Sequence, residues 1–164
     1  IAEDVIGRCA RPVRGILFDK VPEANWHVGW HQDTMIPVAQ RRDVEGFGPW
    51  SVKAGVVHVK PPAEVLASML TLRVHLDDCG MDNGPLRVLP GSHRHGFLTS
   101  VDVKEWIATT EPVTCLARRG DVIAMRPLLL HASSRAVSAS HRRVIHLEYA
   151  GATLPGGLRW PELG

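Results

Sequence analysis

Hydrophobic and polar positions alternate in short runs along this 164-residue chain, and twelve prolines and fifteen glycines break the runs apart. The clearest run is MLTLRVHLDD (69–78). Leu70, Leu72, Val74 and Leu76 fall on one side of it, Thr71, Arg73 and His75 on the other, the period of a strand with one buried face. VRGILFD (13–19), LRVLPGSH (86–93), VTCLA (113–117), DVIAMR (121–126) and RVIHLEYA (143–150) read as further strands, with MDNGP and RRGD as tight turns between neighbours. Helix signals are confined to PAEVLASM (62–69), with Pro62 near its start, and SVDVKEWIA (100–108), with a Ser or Asp cap. With no repeat and no linker, the pattern predicts a single mainly-β domain over residues 1–164: an antiparallel double-sheet jelly roll with a few short flanking helices. Leu70, Leu72, Val74, Leu76, Val122, Ile123, Leu129, Ile145 and Leu147 are its expected core. A ligand would sit in the mouth between the sheets.

Composition narrows the function. Hydrophobic residues make up 45% of the chain, charged residues 22%, and the net charge is +2, too mild for a nucleic-acid partner. No apolar run has membrane length, so a membrane partner is not expected. Cys9, Cys79 and Cys115 are odd in number and far apart, without a C-x-x-C pair. They predict neither a disulfide framework nor a thiolate zinc site, and fit a cytoplasmic location. The chain begins at Ile1 rather than Met, amid sequence that reads as ordered, and an N-terminal segment is expected to be missing.

The candidate chemistry begins at VGWHQDTMIPV (28–38). A strand there would put His31 and Asp33 on one face, and a buried carboxylate beside an imidazole needs a partner, a counter-ion or a metal. The H-x-D spacing alone fits a plain hydrogen-bonded pair as well. RPLLLHASS supplies a third group, because its apolar strand ends in His131. Two histidines and one carboxylate on one face would leave octahedral positions open, which suits non-haem Fe(II) better than closed structural zinc. Arg142, eleven residues after His131, could reach the far carboxylate of a diacid on the metal. Alternation puts Arg142 with Val144 and His146, and Arg143 with Ile145, Leu147 and Tyr149; it does not say which face is inside.

WHQD, NGPLRVLPGSH and RPLLLHASS…HRRVIHLEYA, in this order, resemble the phytanoyl-CoA dioxygenase family of Fe(II)- and 2-oxoglutarate-dependent oxygenases, from about Ile16 to LPGGLRW. The resemblance implies a double-stranded β-helix, the jelly roll of cupin-like proteins, and the cofactors Fe(II), 2-oxoglutarate as cosubstrate, and O2. It implies His31, Asp33 and His131 as metal ligands. Arg142, rather than Arg143, and Ser133 would hold the cosubstrate, with Gln32 and Thr71 as further cosubstrate candidates. The implied reaction hydroxylates an unactivated C–H of a small organic or acyl substrate and releases succinate and CO2. A carboxylate at Asp33, where related halogenases carry a small residue, favours hydroxylation over halogenation. The tract 46–62 would lie over the pocket, making Trp50, Lys53 and His58 substrate candidates, with Arg73 beside them. Trp26 and Trp30 read as packing walls, NGPL and PGSH as structural, and Asn83 and His93 as minor site candidates. Alternative readings are a cupin-like metalloenzyme without 2-oxoglutarate, a zinc hydrolase, and a non-catalytic binding domain derived from an oxygenase.

Overall fold

The computed structural model describes residues 1–21, 23–137 and 141–162. A short helix α1 (Ala2–Ile6) leads into β1 (Arg11–Lys20), β2 (Val28–His31), β3 (Ile36–Val38), β4 (Trp50–Lys53) and β5 (Val56–Val59). After α2 (Ala63–Ala67) come β6 (Met69–His75), β7 (Leu86–Val88), α3 (Ser100–Thr109), β8 (Val113–Cys115), β9 (Val122–Met125), β10 (His131–Ser133) and β11 (Arg142–Ala150). One sheet runs β1-β11-β6-β9, a second β2-β10-β7-β8, and a small third β3-β5-β4. Every pairing is antiparallel. The two four-stranded sheets line one cavity from opposite sides, which makes the fold the jelly roll that the short punctuated strands predict. Among the described residues no helix is long and apolar enough to cross a membrane.

Two local features differ from the sequence reading. The tract over 46–62 contains a hairpin, β4 and β5 joined at Ala54 and Gly55, both with positive φ, the backbone a tight two-residue turn demands. Helix α3 is capped by Thr99 rather than by Ser100 or Asp102. The Thr99 hydroxyl accepts from the Asp102 N–H while the Asp102 carboxylate accepts from the Thr99 N–H, a reciprocal capping box.

The larger correction concerns the core. Leu70 and Leu72 are buried, but Val74, Leu76, Ile123, Leu129, Ile145 and Leu147 are half-buried and Val122 is 38% exposed. On β6 and β11 the buried positions include Thr71, Arg73 and His75, and Arg142, Val144, His146 and Glu148. The physical reason is the cavity: this sheet turns its polar face inward toward it, and its apolar face is covered at Leu70 and Leu72 but only half-buried beyond them. Alternation identifies two faces without saying which is inside. The apolar core sits elsewhere, where Ile36, Val38 and Val59 of the small sheet meet Leu66, Met69, Leu128 and the C-terminal Leu154, Leu158 and Trp160. This plug closes one side of the barrel and leaves the charged chamber above it.

A two-histidine, one-carboxylate candidate metal centre

His31 closes β2, His131 opens β10, and the two are direct cross-strand partners. Asp33 lies just past the end of β2, where its N–H donates to the Pro127 carbonyl (2.9 Å) and ties this turn to the segment entering β10. The approach of His131 is fixed in turn by the PGSH segment. The Ser92 hydroxyl donates to the Leu89 carbonyl and accepts from the Leu130 N–H, each at 2.8 Å, and the Leu89 N–H donates to the Leu130 carbonyl. Sequence elements far apart thus place three donor groups whose ligand atoms all lie within 4.8 Å of one another.

Hydrogen bonds decide which ring nitrogens face inward. Nδ1 of His31 lies 2.9 Å from the Gly29 carbonyl and Nδ1 of His131 lies 2.8 Å from the Leu129 carbonyl, so each Nδ1–H donates and, in the neutral ring that binds a metal, each Nε2 carries the lone pair. Those lone pairs point at Asp33: His31 Nε2 is 3.7 Å from Oδ1 and His131 Nε2 is 3.6 Å from Oδ2. Burial pushes the His131 pKa down to about 4, with Asp33 opposing and His31 and Arg73 adding. A neutral His131 then faces a carboxylate acceptor to acceptor. A cation between the three groups relieves that repulsion, and the donor set, two imidazoles and one carboxylate, fits a divalent metal with open coordination positions.

The cavity beside the triad has a volume of about 390 Å³. One end is cationic. Arg142 is buried and donates to the Gly84 carbonyl. Buried Lys20, its cross-strand partner, donates to Ser133 Oγ (2.8 Å) and to the Ser134 carbonyl (2.5 Å). Burial, then the neighbouring Arg142, lowers the Lys20 ammonium to a pKa of about 8. Gly84 is left-handed (φ 59°), and a Cβ there would stand 2.5 Å from the Ser134 oxygen, so NGPL both turns the chain and delivers a carbonyl to Arg142. Arg143 lies on the other face, exposed and held two-pronged by Asp77 (Nε to Oδ2 2.9 Å, Nη2 to Oδ1 2.7 Å). The register left open by alternation is settled: Arg142 faces in.

At the other end Arg14 pairs with Glu148 (3.2 Å), and Glu148 lies 3.5 Å from His146 Nε2. Arg73 donates to His146 Nδ1 (3.0 Å) and sits over the Phe18 ring. Lys53 lines this end and Trp26 walls the cavity, with Lys20 over its ring. The structure thus brings His31, Asp33, His131, Ser133, Arg142, Arg73 and Lys53 to one cavity. It does not bring Gln32, whose amide is fully used by the Gly96 and Leu128 carbonyls and the Leu98 N–H. Thr71 is buried beside Glu148, six residues along β11 from Arg142 and so ~20 Å away, too far to share a carboxylate with it. Trp50 packs against the apolar plug with Arg41 over its ring. His58 is buried outside the cavity wall, its Nδ1 on the Val56 carbonyl. Asn83 caps its own turn through the Asp78 carbonyl, and His93 is not part of the cavity wall. Sequence reasoning missed Lys20, Arg14, Phe18, His146 and Glu148. Four of the five share an inward face with Arg142 or with its partner on β1, and the fifth, Lys20, is that partner.

A family model for phytanoyl-CoA dioxygenase (PhyH) matches residues 2–144, most of the chain and all four of His31, Asp33, His131 and Arg142. The chain belongs to the phytanoyl-CoA dioxygenase family. No curated protein matches it. Similar solved structures include EvdMO1 (27% identity, 91% of this chain and 29% of that one, TM-score 0.65). AviO1 from Streptomyces viridochromogenes Tue57 is 26% identical over 99% of this chain and 58% of its own, with TM-score 0.63. EctD from S. alaskensis, solved with 2-oxoglutarate and 5-hydroxyectoine, is 21% identical over 91% and 47%, with TM-score 0.65. The chain therefore spans between about a third and three-fifths of the length of these proteins. Phytanoyl-CoA dioxygenases are non-haem oxygenases that use Fe(II), 2-oxoglutarate and O2, the same three cofactors that the chain's motifs imply.

Proposed function

We propose that the chain is the catalytic barrel of an Fe(II)- and 2-oxoglutarate-dependent dioxygenase that hydroxylates a C–H bond of a small organic substrate. The balanced reaction is R–H, O2 and 2-oxoglutarate to R–OH, succinate and CO2. The observation that carries this reading is the triad of His31, Asp33 and His131 lining the same cavity as Ser133 and as Arg142, which has no carboxylate partner among the described residues. Structures of EctD with bound Fe and with 2-oxoglutarate support it by fold.

In this reading His31, Asp33 and His131 hold Fe(II), which supplies the oxygen activation that side chains cannot. The chain's own residues do the rest. Leu129 and Gly29 fix the two imidazoles through their carbonyls, so that Nε2 lone pairs are presented without reorganisation. Arg142 takes the distal carboxylate of 2-oxoglutarate through a two-pronged contact, and Ser133, backed by Lys20, accompanies it. Trp26, Phe18 and Leu86 line the chamber and exclude water. Oxygen-dependent release of succinate and CO2 from 2-oxoglutarate, requiring added Fe(II) and abolished by Asp33→Ala, is the expected result. Absence of Fe(II)-dependent succinate, or label from isotopic dioxygen missing from both succinate and product, contradicts the reading.

A further inference from the structure

Four cations and two acids line the cavity: Arg14, Lys53, Arg73 and Arg142 against Asp33 and Glu148. Glu148 is paired with Arg14, and Asp33 belongs to the triad. Arg142 stands at the cosubstrate end. Lys53 is exposed, which leaves Arg73, 7% exposed, within the influence of Asp33 but in no ion pair among the described residues and with Nε unpartnered. A buried guanidinium without an acid is costly unless a ligand completes it.

Its surroundings hold it in readiness. Arg73 and His146 are cross-strand partners. Because Arg73 donates to Nδ1 of His146, that ring is the neutral tautomer with its proton on Nε2, the atom facing Glu148. Glu148 in turn accepts from Arg14 at the rim. The chain Arg14–Glu148–His146–Arg73 therefore runs along the inner face of the β1-β11-β6 sheet and fixes one edge of the Arg73 fork, while Phe18 supports its plane from below. Nε is buried without a partner among the described residues, and the side chain lines the cavity, where a planar or tetrahedral anion can meet it. Along the backbone Arg73 is four residues from the Arg142 row, ~13 Å away, and the like charge of Arg142 still bears on it.

We propose that Arg73, braced by His146, Glu148 and Arg14, anchors an anionic group (carboxylate or phosphate) of the molecule that is oxidised, so that the substrate is an anion. This rests on the oxygenase reading and adds the substrate class to it. A free guanidinium fork beside the reacting centre fixes orientation and rejects neutral analogues, which would leave the buried charge unpaired.

The test uses the full chain loaded with Mn(II), which replaces Fe(II) without turnover, and saturated with 2-oxoglutarate. Inorganic phosphate and acetate are titrated separately, and paramagnetic broadening of the phosphorus and proton resonances reports an anion held near the metal. The expected result is saturable broadening in the wild type by at least one of the two probes, weakened about tenfold or more in Arg73→Gln. In Arg73→Lys, which keeps the charge, it should return to within about threefold. His146→Leu should weaken it by an intermediate factor. The affinity for 2-oxoglutarate should stay within about threefold in all three variants. Equal broadening in wild type and Arg73→Gln overturns the proposal. A loss of 2-oxoglutarate affinity in Arg73→Gln as large as in Arg142→Ala also overturns it and makes Arg73 a cosubstrate ligand. If Arg73→Gln does not fold, Arg73→Lys and His146→Leu carry the comparison. Failure of the wild type to take up 2-oxoglutarate contradicts the oxygenase reading instead, and the anion titration on the Mn(II) protein still decides Arg73.

Discussion

At one end of the cavity Arg142 donates to the Gly84 carbonyl and its cross-strand partner Lys20 to Ser133, and no carboxylate pairs with either among the described residues. At the other end Arg14 faces Glu148 at 3.2 Å, with His146 and Arg73 in line behind. Both ends are built from the same two strands, β1 and β11, in one continuous register. The difference teaches how to read buried charge. A paired group such as Arg14 is satisfied by the protein and sets geometry, whereas Lys20 and Arg142, hydrogen-bonded only to neutral oxygens, gain a counter-ion when an anionic ligand arrives. In the proposed reading the metal held by the triad divides cosubstrate from substrate.

The strongest way to break this division is to remove the divider. His131→Ala should cost at least ~100-fold in divalent-metal affinity, more than loss of an outer partner of a ligand costs. The fold should remain, because the apolar plug lies elsewhere; equilibrium dialysis with circular dichroism checks both. Unchanged metal stoichiometry would remove the centre from the account.

Next in size is the contrast between adjacent arginines. Arg142→Ala should weaken 2-oxoglutarate binding by about 100-fold, as loss of a two-pronged charged contact implies, with metal affinity nearly preserved. Arg143→Ala should leave 2-oxoglutarate binding unchanged and lower stability only slightly, because its pair with Asp77 is exposed. Isothermal titration and chemical denaturation separate the two effects.

Lys20 sharpens the comparison further, through pH. Its ordinary pKa is 10.5 and its folded value about 8, so between those values the unfolded chain binds the proton and the folded chain does not. Stability of the ligand-free protein should therefore rise with pH across that window, while affinity for 2-oxoglutarate falls as the ammonium is lost. Lys20→Met should abolish this contribution to both slopes and weaken 2-oxoglutarate binding by about tenfold. Identical pH profiles in wild type and Lys20→Met would show that Lys20 is a bystander.

How much of this was legible in the sequence follows from the range of the signal. H-x-D and the eleven-residue spacing from His131 to Arg142 are short-range features, and the residues they single out share the cavity. The strands were legible for the same reason, since their periods are local. The burial of those strands was not. Thr71, Arg73 and His75 alternate with Leu70, Leu72 and Val74, and the sheet buries the polar set as fully as Leu70 and Leu72 because a charged chamber lies beneath it. Had Arg142 been known to face inward, His146 and Glu148 would have followed by counting in twos. Lys20 lies at a strand end 113 residues from Ser133, and nothing local marks such a lysine as buried. The β4–β5 hairpin did leave a local trace, a two-residue turn with valines on both sides, which the prolines and glycines around it obscured.

The central claim is that one metal and one 2-oxoglutarate share the site made by His31, Asp33, His131 and Arg142. Its most direct test is an anaerobic titration of the metal-free protein with Fe(II) and then 2-oxoglutarate, followed in the visible region for the weak metal-to-ligand charge-transfer band of the chelate. The band is expected to appear only with both components, to saturate at one equivalent of Fe(II), to vanish in His131→Ala, and to need far more 2-oxoglutarate in Arg142→Ala. Fe(II) binding with no band at saturating 2-oxoglutarate, or a band indifferent to Arg142, would contradict it.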